Sequence, residues 1–303
     1  MLRWKLVFHI KFWFFYLVNN FTSHQNLKVN SKKSVHNKRV NYYNRLSNEF
    51  KIKSGVSLSE VPRFKHNSSY FYDFYKILSH FPVKNKFNYI LGDINTIPSA
   101  PAFVKARPIG RFNKNSVILP LNTWRHFLFT KDDISYEEKV PKIVWRGAAY
   151  QNKRKVFLKK TFHLSFCNVG CTAKGISNNP FKKEFMTIKD QLNYKFIFSV
   201  EGNDVASNLK WILSSNSLCF MQKPEMETWA MEGLLKPGVH YVEVRPDFSN
   251  LEAEFLYYLD NPKKAKSIVR NANNFISQIK DESLQLDIAI EVVSKYFRLS
   301  KQE

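Results

Sequence analysis

Acidic residues are scarce in this chain. Its 303 residues include 25 Asp and Glu against 47 Lys and Arg, a formal net charge of +22. Such a field selects for an anionic partner: nucleic acid, an acidic leaflet or a phosphorylated substrate. Cysteine is also rare, at Cys167, Cys171 and Cys219. Three thiols make no disulfide framework, and the spacing of the first two is not that of a C-x-x-C knuckle, so buried thiols in a reducing compartment are expected. The eight histidines form no H-E-x-x-H, and no structural zinc is expected. No G-x-G-x-x-G and no Walker A loop occurs, which removes ordinary dinucleotide and NTPase sites. There is no G-x-S-x-G nucleophile elbow. No two aspartates stand at i and i+2, so the Asp-x-Asp metal clamp is missing as well. Long apolar runs are absent too. The cleanest near the N-terminus, Phe12 to Val18, is far short of the roughly 20 residues that span a bilayer, and no small-residue cleavage site follows it.

What is present is a core-forming composition: 44% hydrophobic residues, with 27 Phe, exclude a disordered chain. The length fits one large or two medium domains. The aromatic start has two readings. It is a buried first strand or helix, or it lies in a membrane interface with Arg3, Lys5 and Lys11 at the headgroups. Asn19 to Arg63 is polar and basic, with Lys28, Lys32, Lys33, Lys38, Arg39, Arg45, Lys51 and Lys53 opposed only by Glu49 and Glu60. Such a stretch is a solvated face or a patch for an anionic leaflet, where each cation contributes about 1 kcal/mol.

Further along, apolar runs alternate with amphipathic stretches. A helix is expected over Ser69 to His80, and strands over Phe87 to Asp93, Phe103 to Arg107 and Ser116 to Leu121. A short helix opens near Asn122. After a charged boundary at Thr130 to Lys139 the alternation is clearer. Strands are expected at Lys142 to Trp145, Leu164 to Val169, Lys195 to Val200, Leu218 to Gln222 and His240 to Val244. Helices are expected at Lys153 to Lys160, from Val205, around Thr228 to Leu235, and at Leu251 to Leu259, Pro262 to Lys280 and Ser283 to Arg298. Strands alternating with helices specify an α/β fold with a parallel sheet covered on both faces. The last helix carries Leu286, Ile290, Val293 and Phe297 on one face for packing. The expected division is 1–63, a basic aromatic segment of the first domain; 64–139, its remainder; and 140–303, a second domain with terminal helices.

Three places join a strand end to polar groups. Asp93 stands before a Pro-containing turn, as a general base or as a turn aspartate. Arg146-Gly147, followed by Lys153 and Arg154, is a fork for phosphate or a surface arginine. Glu201-Gly202-Asn203-Asp204 closes an apolar strand and precedes a helix that Asn203 or Asp204 would cap; such a turn serves an anion or nothing at all.

The blocks VWRGAAYQNKRK (144–155), YKFIFSVEGNDVASNLKWILSSNSL (194–218) and LLKPGVHYVEV (234–244), in that order, resemble glycosyltransferase family 90. LGDINTIPSAPAFVKARPI (91–109) and NSVILPLN (115–122) are similar to the family too, and KPEMETWAMEG (223–233) looks most like its bacterial lipopolysaccharide branch. The resemblance implies a GT-B-like architecture, two Rossmann-like domains facing a cleft. It implies an inverting, metal-independent transfer of a hexose from UDP-glucose or UDP-galactose to a hydroxyl of the lipopolysaccharide inner core, with no cofactor. It places Asp93 as catalytic base and Arg146 and Gly147 on the nucleotide. Arg154, Glu201, Gly202, Asn203, Asp204, Asn208 and Lys210 are the further donor-site candidates. Asn208 stands where eukaryotic members carry a diphosphate-binding arginine, and Lys210, Lys195 or Arg154 would then compensate. The location implied is cytoplasmic and peripheral, on the anionic inner face of the membrane, with no nucleic acid partner. A basic nucleic-acid-binding protein and a catalytically inactive glycan-binding member of the fold are the alternatives.

Overall fold

The structure is a computed structural model that describes residues 10, 33–61, 68–173 and 179–301. The readings placed on the aromatic N-terminus and on residues 19–32 lie outside these. The chain forms two compact units, Leu128–Lys280 and a discontinuous one made of Met1–Phe127 with Asp281–Glu303. This differs from the expected run of 140–303 as one domain, because the last helix returns to the first unit.

The first unit opens with α1 (Lys33–Tyr43) and a two-residue strand β1 (Phe50–Lys51), then α2 (Ser68–Leu78). The basic stretch thus contains a helix that its polarity concealed. Val40 and Tyr43 are buried on it, and Arg107, fully buried, donates to the terminal carbonyls of Tyr42 at 2.7 Å and Tyr43 at 3.2 Å. Those carbonyls have no partner inside a helix, so a buried end requires such a donor. Strands β2 (Tyr89–Ile90), β3 (Ala102–Val104) and β5 (Ser116–Ile118) form a parallel sheet with β3 central, and β4 (Ala106–Pro108) follows β3. After β5 comes the single turn of α3 (Thr123–His126).

The second unit carries β6 (Val140–Gly147), α4 (Asn152–Thr161), β7 (Cys167–Cys171), α5 (Ile188–Gln191), β8 (Tyr194–Ser199), α6 (Leu209–Leu213), β9 (Leu218–Met221), β10 (Met226–Thr228), β11 (Val242–Glu243), α7 (Leu251–Asp260) and α8 (Pro262–Ser277). Its sheet is parallel throughout, in the order β11-β9-β8-β6-β7. Counted within the unit, that is the doubly wound order 2-1-3-4-5, with the direction of winding reversed between β6 and β8. A core of Trp145, Phe157, Phe196, Phe198, Phe220 and Phe255 packs against the sheet. The three cysteines are buried and unpaired, and burial pushes the Cys167 thiol up to about 12.

The chain then re-enters the first unit as α9 (Glu282–Leu299) and β12 (Ser300–Lys301), which pairs in parallel with β1. The face of α9 expected inside is rotated. Ile288, Ala289, Val292, Val293 and Tyr296 are buried, and Leu286, Ile290 and Phe297 lie on the flank. The reason is Tyr296, whose ring sits 4.3 Å from that of Phe103 on the central strand and whose hydroxyl donates to Pro101 O at 3.0 Å.

Candidate functional site

In an open parallel sheet, ligands meet the carboxyl ends of the strands, where the winding reverses and loops are free to diverge. Each unit has polar side chains gathered at such ends.

In the first unit, Asp93 lies three residues beyond β2, after Gly92 in the left-handed region (φ 95°). Lys105 is the residue after β3, the adjacent parallel strand. Register therefore brings the two side by side, and the Lys105 ammonium donates to Asp93 Oδ1 at 2.5 Å. The lysine side chain is 2% exposed and that of the aspartate 32%. His126, on the helix after β5, places Nε2 3.4 Å from the same ammonium. The ends of three neighbouring strands thus contribute Asp93, Lys105 and His126. Sequence reasoning named only the first; the one signal for Lys105 was a lysine placed directly after a fully apolar strand. Beside them, buried Asp73 accepts from the Thr123 amide at 3.0 Å and hydroxyl at 2.7 Å, and desolvation raises its carboxyl to about 7.

In the second unit, Arg154 on α4 spans the point of reversal. Its Nη1 donates to Ala148 O, just past β6, at 3.1 Å, and its Nε to Val200 O, just past β8, at 3.3 Å. A Cβ on Gly202 would stand 3.3 Å from Arg154 Nη2 and 3.5 Å from the Gln151 amide carbon, so the glycine lets the backbone approach the guanidinium. The Glu201 carboxylate is fixed from both sides. Oε1 accepts from the amides of Glu225 at 3.2 Å and Met226 at 3.4 Å, and Oε2 from Lys153 at 3.1 Å. Burial raises the Glu201 pKa, and Lys153 and the two amides oppose that rise. Lys153 also pairs with Glu225 at 2.8 Å. Asn203 is exposed, Asp204 is buried, and the Gly202 amide donates to Asp204 O at 3.0 Å.

Other expected residues are engaged by neighbouring groups of the protein. Arg146 and Gly147 do end β6, but the Arg146 guanidinium folds along the sheet, donating to Glu184 O at 3.0 Å, Asn168 O at 2.7 Å, Asn168 Oδ1 at 2.9 Å and Trp145 O at 3.0 Å. Burial depresses its pKa. The helix expected from Val205 starts only at Leu209, and Asn208, not Asn203 or Asp204, is its cap. The Asn208 amide binds back to β8, donating to Phe198 O at 3.1 Å and accepting from the Ser199 hydroxyl at 3.1 Å. Lys210 does not reach the surface: it is fully buried and pairs with Glu232 at 2.6 Å. Glu232 in turn accepts from the Thr228 amide at 2.6 Å and hydroxyl at 2.8 Å. That network, with Met231 at φ 58°, replaces the helix expected around Thr228 to Leu235 by a single 3-10 turn at Glu232–Leu234. Among the described residues no three His, Cys, Asp or Glu side chains are grouped as metal ligands.

Polar clusters at parallel-strand ends, on an α/β fold with a doubly wound sheet, stand where such folds bind their ligands. The comparison with known proteins makes this specific: a profile of glycosyl transferase family 90 matches residues 118–303, and the chain belongs to that family, so it is a glycosyltransferase. It is 45% identical over 262 residues to the O-glucosyltransferase LpsA of Dichelobacter nodosus, covering 86% of this chain and 82% of the relative. A more distant likeness, 26% over 151 residues, links 46% of the chain to 29% of protein O-glucosyltransferase 2 of Danio rerio.

Proposed function

We propose that the protein moves a hexose, glucose or galactose, from its UDP conjugate to a hydroxyl of the lipopolysaccharide inner core, inverting the anomeric centre and using no metal ion. The observation that carries this reading is Asp93. Its carboxylate has a fixed direction, set by buried Lys105, and yet stays a third exposed, as a base meeting a changing acceptor must. In the proposed step Asp93 takes the acceptor proton, the acceptor oxygen bonds to the anomeric carbon, and the bond from that carbon to the β-phosphate oxygen breaks. UDP leaves with the electron pair.

The second unit supplies the donor site in this reading. Arg154, at the reversal of winding, takes the diphosphate role that the arginine replaced by Asn208 has in eukaryotic members. In this reading Arg146, with four acceptors around β6 and β7, and Asn208, bonded to β8, position the strands beside the donor. Glu201, held by Lys153 and two amides, is oriented as an acceptor for a sugar or ribose hydroxyl. The two units act together in the GT-B manner. The name of the Dichelobacter relative, an O-glucosyltransferase, favours glucose as donor sugar. The excess of 47 basic over 25 acidic residues suits a phosphorylated glycolipid at the cytoplasmic face of the membrane.

The test is a titration of the purified protein with UDP, with and without magnesium, followed by UDP-glucose and UDP-galactose scored for transfer to a lipopolysaccharide core acceptor. UDP binding unaffected by magnesium, with turnover of one sugar, is the expected result. No UDP binding by the unaltered protein removes the donor assignment. Arg154→Ala should weaken UDP about tenfold or more, the effect of losing one charge-assisted hydrogen bond. Unchanged affinity excludes Arg154 from the diphosphate.

A further inference from the structure

The loop between β4 and β5, residues 109–115, holds an aromatic ring out in solvent. Phe112 is 89% exposed, beyond Phe185 at 67% and Tyr150 at 54%, the next large aromatics. Ile109, three residues before it, is also exposed, and so are Arg111 and Lys114 on either side of the ring. Single exposed apolar residues are ordinary on protein surfaces. This one differs because the backbone beneath it is pinned. Arg45 Nη1 donates to Gly110 O and to Asn113 Oδ1, both at 2.8 Å; the Asn113 amide donates to Pro108 O at 2.7 Å; and Ser116 N donates to Asn113 O at 3.0 Å. Asn113 is 1% exposed, so the loop's root is anchored in the protein while its tip is not. A pinned loop could turn its phenylalanine inward; this one presents it.

Charge says what the tip meets. The loop has no Asp or Glu, and its two charged residues, Arg111 and Lys114, are cationic and exposed. An apolar tip flanked by two exposed cations matches a surface with phosphates outside and hydrocarbon just below. A protein partner would call for a broader apolar patch with a polar rim.

We propose that residues 109–114 form a membrane-docking wedge. Phe112 and Ile109 enter the boundary between headgroups and acyl chains of an anionic bilayer, and Arg111 and Lys114 pair with lipid phosphates. The proposal rests on the reading above, in which the acceptor is a membrane glycolipid, and adds the surface by which the enzyme reaches it.

The experiment uses the full chain with vesicles of phosphatidylglycerol and phosphatidylethanolamine, compared with phosphatidylcholine alone. Because Cys167, Cys171 and Cys219 are buried, a Phe112→Cys variant takes a polarity-sensitive thiol label at that position. Anionic vesicles should shift the label's emission to the blue, and phosphatidylcholine should not. In sedimentation, Phe112→Ser should bind anionic vesicles about tenfold more weakly or less, and Arg111→Glu with Lys114→Glu should abolish the preference for anionic lipid. Donor hydrolysis in solution should be unchanged in both. Full vesicle binding by Phe112→Ser, or a label whose emission stays put on bound vesicles, overturns the wedge. A shift produced by soluble polyglutamate but not by vesicles also overturns it, in favour of an acidic protein. None of these readouts needs sugar transfer, so failure of the transferase assignment would be seen separately.

Discussion

At the scale of single residues, chemistry and stability separate cleanly between Asp93 and Asp73. Asp93→Asn keeps a side chain of the same size on Lys105 but cannot accept a proton. Turnover should fall by about 10²–10⁴-fold with UDP affinity nearly intact, which single-turnover kinetics and a UDP titration would show together. Full activity would remove Asp93 from the base role. Asp73 is a stability matter. Its carboxyl titrates near 7 in the folded protein against an ordinary 3.8, because burial penalises the charge more than Thr123 favours it. The folded state therefore binds more protons than the unfolded one between those values, and stability from this group declines as pH rises from about 4 to about 7. Asp73→Asn carries no such cost. Its denaturation midpoint should gain on the unaltered protein at pH 8 relative to pH 5, and an equal difference at both pH values would exclude the effect.

At the scale of elements, α6 is tied to the 3-10 turn at Glu232–Leu234 by a buried ion pair whose lysine, Lys210, sequence reasoning placed on the donor. Lys210 and Glu232 are both buried, and removing one leaves the other charged in the interior. Lys210→Met should cost roughly 3–5 kcal/mol in urea unfolding. A loss below 1 kcal/mol would mean that the pair is hydrated. Here the limits of legibility are plain. Apolar runs such as 194–200 and 218–222 marked their strands within a residue or two, since a strand covered on both faces leaves little choice of residue. Strand ends then drew attention to Asp93 and Gly202, which do stand just past β2 and β8. The partner of Asp93 was not legible, because Lys105 meets it only through the register of β2 on β3. Nor was the fate of Lys210, which reads as a surface lysine until α6, with all five residues buried, shows that it has no outer face. The cap at Asn208 was missed for a similar reason: it is set by hydrogen bonds back to β8 and not by local sequence.

At the scale of the whole molecule, no helix among the described residues is long and apolar enough to cross a membrane. The proposed attachment rests in part on Arg111 and Lys114, so its strength should drop between low and physiological salt, as surface electrostatics do. Sedimentation with anionic vesicles at two ionic strengths checks this; salt-independent attachment would point to apolar insertion alone. The other molecule-wide feature is the return of α9 to the first unit. Tyr296 is fully buried against Phe103, the Asn44 amide donates to Val292 O at 3.1 Å, and Arg39 donates to Gln285 at 2.5 Å. Tyr296→Ala should therefore cost about 3–5 kcal/mol, although it lies far along the chain from the sheet it supports.

The same return sets a timetable for synthesis. Residues 128–280 leave the ribosome as a complete unit, with every strand of their sheet already made. The stretch that holds Asp93 emerges earlier but lacks one wall until the final helix is released. The part of the protein translated first is completed only after the second unit has been made.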